Sequence, residues 1–211
     1  MRARSIGEKA VRQSALIAAG RHALSSRSYD GVTMTDIAAA AGLSKASAYL
    51  YFPTKESLFL QLIEKELQAW FEALEAELKP GLKGAKRAVP KLIARSLANS
   101  PVLLDLLTLL HGRIETNLNL EEVTRFKNFL ATSLDRVGSK LEACLTLKRG
   151  VGMKLLLRTH AFTIGLRQMS EPPEIISRLI AANPHLAGMT PNFETELSDS
   201  ISDWLSALSQ A

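Results

Sequence analysis

The sequence predicts an all-α protein: an N-terminal three-helix helix-turn-helix domain, then a larger helical domain, with about ten helices in total. Three observations carry that prediction. Apolar residues recur at three- and four-residue spacing along most of the chain, the period of an α-helix with one buried face. No stretch shows the sustained alternation that marks a half-buried strand. The breakers Asp30-Gly31, Gly42, Pro53 and "KPGLKG" fall between periodic stretches, so they punctuate helices rather than interrupt them.

The first helix is predicted over 8–26, with Val11, Ala15, Leu16, Ala19, Ala23 and Leu24 as its apolar face. "SRSYDG" ends it in a turn. Thr33 is placed to cap the next helix, with Asp36 at the third helical position as its reciprocal partner. That helix, "MTDIAAAA", lasts two turns, because Gly42 accepts the left-handed conformation of a sharp exit. Ser44 caps a second short helix that runs to Tyr51, and Pro53 stops it. Thr54 caps a long helix over 55–79, with Glu56 in its first turn, where the helix dipole favours an acid. Phe59, Ile63, Leu67, Trp70, Leu74 and Leu78 form its stripe. Further helices are predicted at 84–98, 101–111, 120–146, 150–169, 172–182 and 191–209. The clearest is 120–146, where Leu120, Val123, Phe126, Leu130, Leu134, Val137 and Leu141 follow a capping box of Asn119 and Glu122. The domains are then 1–54, a connecting helix at 55–79, and 80–211.

At 211 residues and 46% apolar, the chain can bury a sizeable core. It has no apolar run of the roughly 20 residues that span a bilayer, and "PVLLDLLTLLHG" is short and holds Asp105. The basic N-terminus is not followed by an apolar segment and cleavage site, so a cytoplasmic protein without membrane contact is expected. The single Cys144 lies in an apolar stripe and reads as a small buried hydrophobe. The net charge of +5 is unevenly spread. Residues 1–60 hold eight Lys and Arg against four Asp and Glu, while the rest is nearly balanced. A basic end on a near-neutral body suits a polyanion that meets only that end.

The stretch "SKASAYLYF" sharpens this. Two short helices joined at a glycine make a helix-turn-helix, whose second helix enters the major groove by its N-terminal residues. Bulk on that leading face would hold the helix out of the groove. Ser44, Ala46, Ser47 and Ala48 keep the approach open. Lys45 is long enough to reach guanine acceptors or a phosphate. Ser47 and the free backbone N–H groups can bond phosphate oxygens. Phe52 and Ile37 should pack inward, Tyr49 and Tyr51 should offer hydroxyls to the flanking backbone, and Lys55 should extend the phosphate clamp.

Residues 33–59, "TMTDIAAAAGLSKASAYLYFPTKESLF", resemble the DNA-binding signature of the tetracycline-repressor (TetR) family. The matched positions are Thr33, Ile37, Ala38, Ala41, Gly42, Leu43, Ser44, Tyr49, Tyr51, Phe52, Lys55, Glu56 and Leu58, within a resemblance that covers about 8–60. Ala48 departs from it, since the pattern usually has a larger aliphatic residue there. The resemblance implies a base contact from Lys45, phosphate contacts from Ser47, Tyr49, Tyr51 and Lys55, and a cap at Thr33 that also meets the DNA backbone. It also implies a C-terminal domain that dimerises and encloses a small-molecule effector. The helices at 150–169 and 191–209, the latter with Phe193, Leu197, Ile201, Trp204 and Leu208, are expected to pair in the homodimer. Ligand candidates are the polar His111, Glu115, Asn117 and Arg158 and the aromatic Trp70, Phe126 and Phe162, all in or beside apolar helices.

The expected function is therefore a homodimeric repressor that a small molecule releases from a palindromic double-stranded operator. The alternative is a helical ligand-binding or adaptor protein that does not use DNA. An enzyme is not expected, because there is no nucleophile elbow, phosphate loop or metal-ligand spacing. "RGVGMK" holds only G-x-G and no preceding strand. No cofactor or metal is expected.

Overall fold

The computed structural model describes residues 2–208, with side chains from residue 7 onward. Ten α-helices are present among the described residues: α1 (Arg2–Leu24), α2 (Met34–Ala40), α3 (Lys45–Tyr49), α4 (Lys55–Glu77), α5 (Ala85–Ala98), α6 (Pro101–Leu109), α7 (Leu120–Leu145), α8 (Val151–Ser170), α9 (Glu174–Ala182) and α10 (Phe193–Leu208). A π-helical turn at Leu110–Ile114 and a 3₁₀ turn at Glu115–Asn117 follow α6. The described chain has no strand. Among the described residues no single helix is long and apolar enough to cross a membrane.

The chain divides into two compact units. One holds the residues up to Glu66 together with Leu109–Lys127, and the other holds Leu67–Thr108 with the residues from Asn128 on. Thus α4 and α7 each contribute to both, and the first unit recruits the segment around the π-helical turn as well as the N-terminal helices.

In the first unit, α1 starts at Arg2, earlier than its apolar pattern, and ends at Leu24. Val11, predicted on the apolar face, is 69% exposed, and burial begins with Leu16 and Ile17. These pack with Val32, Met34, Ile37, Phe52, Leu58, Phe59, Leu62 and Ile63 in one core. Gly20 is where α1 crosses α4. A Cβ there would lie 2.7 Å from Leu58 Cδ2. Tyr29 meets Phe59 edge-on with ring centres 5.1 Å apart.

In the second unit, Phe71 and Leu74 of α4, Val89, Ile93 and Leu97 of α5, and four leucines of α6 form the interior with α7, α8 and α10. The α10 stripe is used mostly within the chain. Leu197, Ile201 and Leu205 are buried against α5 and α8, because α10 packs along both helices. On α8, Leu157 and Met169 stay exposed, and Phe162 of α8 and Trp204 of α10 are half-buried. The carboxylate of Glu75 sits between Arg136 (2.6 Å) and Lys140 (2.9 Å) of α7.

The two glycines of "RGVGMK" have separate structural uses. Gly150 precedes α8 with a positive φ of 84°. Gly152 meets Gly138 of α7 backbone to backbone, and a Cβ on Gly152 would lie 2.1 Å from the Gly138 carbonyl oxygen. The Gly152 N–H donates to Glu142 Oε1 at 2.9 Å, which holds the start of α8 on α7.

Candidate nucleic-acid interface

The turn between α2 and α3 is built from local chemistry. Thr33 Oγ1 accepts the Asp36 N–H at 3.2 Å, while Asp36 Oδ2 accepts the Thr33 N–H at 3.1 Å and its hydroxyl at 2.7 Å. The predicted capping box is complete. The hydrogen bonds from Thr33 hold the Asp36 carboxyl below its usual pKa, with Arg27 contributing at 3.6 Å. Gly42 takes a φ of 70° and the chain reverses. Ser44 Oγ then accepts the Ser47 N–H at 3.1 Å and opens α3.

The two sides of α3 differ sharply. Ala48 is 0% exposed and, with Phe52, joins the core. The small alanine lets the helix seat directly on that core. Ser44, Lys45, Ala46 and Tyr49 are exposed, Ser47 and Tyr51 are half-buried, and the Ser47 hydroxyl lies 2.9 Å from that of Ser44. The surface offered at the start of α3 is therefore small side chains around one long cation. Leu50 is 81% exposed beside this surface and was not anticipated. Its only sequence signal is its place between the two tyrosines.

Lys55 has partners within the protein. Its ammonium donates to the carbonyls of Tyr29 (3.0 Å) and Val32 (3.1 Å) and lies 3.9 Å from the centre of the Tyr29 ring. Lys55, expected to extend a phosphate clamp, here ties the start of α4 to the loop that leads into α2. The Tyr29 hydroxyl donates to Glu56 Oε1 at 2.9 Å. Burial and this bond push the phenol well above its usual pKa.

The seven ligand candidates are divided between the units. His111, Glu115, Asn117 and Phe126 lie in the first. His111 Nδ1 and Lys127 Nζ contact the Glu115 carboxylate at 3.0 and 2.6 Å. Burial alone would raise the Glu115 pKa, but these two hydrogen bonds hold it below the usual value. Asn117 Nδ2 donates to the Arg113 carbonyl at 3.1 Å, and Phe126 is buried. Trp70, Arg158 and Phe162 lie in the second unit. Trp70 Nε1 donates to Ser96 Oγ at 2.9 Å, Phe162 meets Trp204 edge-on, and Arg158 is half-buried. A groove of about 850 Å³ in this unit runs between α5 and α10, lined among others by Lys91, Arg95, Phe193, Glu194 and Ser198. None of the seven candidates lines it. Among the described residues no three side chains form a metal-ligating group.

Comparison with known proteins decides the family. Residues 64–210 match the sequence model described as tetracyclin repressor-like, C-terminal domain, and residues 16–62 match that of bacterial regulatory proteins, tetR family. The chain belongs to the TetR family. It is a DNA-binding transcriptional regulator of that family, in which α2 and α3 are the helix-turn-helix. A curated relative, the HTH-type transcriptional regulator EthR of Mycolicibacterium smegmatis, is 34% identical over 53 residues. The match spans 25% of this chain and about a quarter (24%) of that relative. A solved TetR-family regulator from Mesorhizobium loti is 20% identical, with a TM-score of 0.49 and coverage of 95% of this chain and 96% of that one.

Proposed function

We propose that this TetR-family chain is a homodimeric cytoplasmic repressor that a small molecule releases from a palindromic operator. The observation that carries the DNA-reading part is the exposed leading face of α3, with Lys45 among Ser44, Ala46 and Ser47 and with Ala48 buried behind. Lys45 reads a base, and Ser47, Tyr49 and Tyr51 hold the phosphates on either side. Thr33 meets the backbone while capping α2, and Lys55 serves by fixing the loop before α2. Residues 1–54 act as the reader, 55–79 as the connecting helix, and 80–211 as the ligand-binding and dimerisation domain.

Dimerisation places two α3 helices in successive major grooves, one helical turn of DNA apart. Leu157, Met169 and the Phe162–Trp204 pair on α8 and α10 supply the apolar surface for the partner copy. The effector binds the form whose spacing misfits the operator and so shifts the population away from DNA.

Titration onto DNA fragments flanking the gene, at several salt concentrations, tests the reading. One fragment should bind two protomers far more tightly than random DNA, with a steep salt dependence. Equal, weak binding to every fragment would count against it, and a ligand that tightened operator binding would overturn release.

A further inference from the structure

A helix in the major groove can meet two kinds of group on a base edge. One is a hydrogen-bonding atom, and the other is the C5 methyl of thymine, the one apolar group that a base pair presents there. The exposed side of α3 is sparsely equipped for the first. From Ser44 to Phe52 the chain holds no Arg, Asn, Gln, Asp or Glu, so the side chains that single out adenine and cytosine by hydrogen bonds are missing. Lys45 is the one charged side chain, and the hydroxyls of Ser44 and Ser47 lie 2.9 Å apart and can bond each other. For the second kind the same side is well equipped. Ala46 and Leu50 stand one turn apart on it, and Leu50 is 81% exposed.

The backbone fixes where Leu50 points. Its dihedral angles are helical (φ −71°, ψ −21°), and its N–H donates to the Ser47 carbonyl at 3.2 Å. The N–H groups of Tyr51 and Phe52 both donate to the Ala48 carbonyl at 3.0 Å. On the inner side Ala48 and Phe52 are 0% and 1% exposed and anchor the helix on the core. At 100° per residue, Ala46 and Leu50 each lie roughly 160° around the helix from Ala48, on either side of the outward pole. Ser47 and Tyr49 lie roughly 100° from Ala48, on the two flanks. One exposed leucine elsewhere on a protein surface asks for no explanation. This one occupies the outermost line of the second helix of the helix-turn-helix.

We propose that Leu50 is a specificity-determining residue whose side chain packs on a thymine methyl at one position in each half of the operator. The inference rests on the reading that the outer side of α3 enters the major groove, and it names a base and the residue that reads it. Docking removes both apolar groups from water, and covering one methyl is worth about fourfold in affinity. Cytosine, adenine and guanine carry no such methyl, so the contact selects thymine without a hydrogen bond.

The test uses the full-length protein and a pool of randomised duplexes. Repeated selection should give the parent a preferred site with a thymine at one position of each half. Leu50→Ala should cease to prefer that thymine and keep the other preferences. Replacing the thymine by deoxyuridine removes the methyl alone, and should weaken the parent's binding about fourfold per half-site in fluorescence anisotropy. Leu50→Ala should bind the thymine and uracil duplexes within about 1.5-fold of each other, because the two changes remove the same contact. Lys45→Ala should keep the uracil penalty, and Leu50→Met, with an apolar tip, should keep the thymine preference. Leu50 is exposed, so the alanine variant should melt within about 2 °C of the parent, which separates lost contact from lost fold. Equal binding of both duplexes by the parent overturns the proposal, because Leu50 then packs on no methyl. A uracil penalty undiminished in Leu50→Ala overturns it too, since another residue then touches the methyl. In either case a selected site still leaves α3 as the reader. If the parent selects no site at all, the reader assignment fails together with this inference.

Discussion

The two units handle polar groups in opposite ways. In the first, the polar side chains that shape the DNA-reading surface are matched at short range: Thr33 with Asp36, Ser44 with Ser47, Tyr29 with Glu56, and Lys55 with two carbonyls. In the second, helices meet through bare backbone at Gly138 and Gly152, and three hydroxyls of α8 stay unmatched in an aliphatic interior. A reading head has to be one fixed shape that fits a groove. The contrast places close polar matching in the first unit and unmatched hydroxyls in the second.

The largest test of this contrast is Gly152→Ala. Its methyl would overlap the Gly138 carbonyl, a backbone atom that cannot turn aside, so α7 and α8 must separate. A loss of about 3 kcal/mol is expected, read as a lower midpoint in urea unfolding. An unchanged midpoint would show that the crossing is loose. Next is Lys45→Ala, which should weaken specific DNA binding by about 10- to 100-fold in fluorescence anisotropy and leave the melting temperature within a degree or so. Lys55→Met should do the reverse. It removes an ammonium bonded to two carbonyls, so roughly 2 kcal/mol of stability should go, while DNA affinity falls only through the loosened loop. If Lys55→Met cuts the salt dependence of binding as strongly as Lys45→Ala, Lys55 reaches phosphate after all.

The smallest effect is the pH dependence of the α2 cap. The Asp36 carboxyl has a lowered pKa in the folded state, so its contribution is present above the unfolded-state pKa. It fades as pH falls through the folded value. Asp36→Asn should therefore flatten the acid limb of a stability–pH curve and change little near neutrality. An acid limb identical to the parent's would remove Asp36 from that account.

How much of this was legible in the sequence follows the reach of each interaction. The caps at Thr33 and Ser44, the Gly42 turn and the inward Ile37 and Phe52 depend on neighbours a few residues away, so spacing reveals them. The inward use of Lys55 depends on carbonyls 26 and 23 residues upstream, and a lysine at a helix start looks the same whichever way it turns. The α10 stripe was visible, but periodicity cannot say whether α5 or a second copy covers it. The unmatched hydroxyls of Thr159 and Thr163 gave no signal, because a helical threonine ordinarily has a carbonyl behind it. Gly152 resembled part of a weak phosphate loop, and only the position of α7 shows its use.

The lysine latch on the loop before α2 also bears on how the protein should feel ionic strength. In the free protein Lys55 faces its own carbonyls, and Arg21 and Arg27 face Glu66 and Asp36; while so placed they would neutralise no phosphate. Each phosphate neutralised releases about 0.9 of a condensed counterion from duplex DNA. Three of the eight cations in the first sixty residues are thereby engaged elsewhere. The ions shed on docking should number fewer than the basic composition advertises, and the operator complex should survive salt better than a count of lysines and arginines suggests.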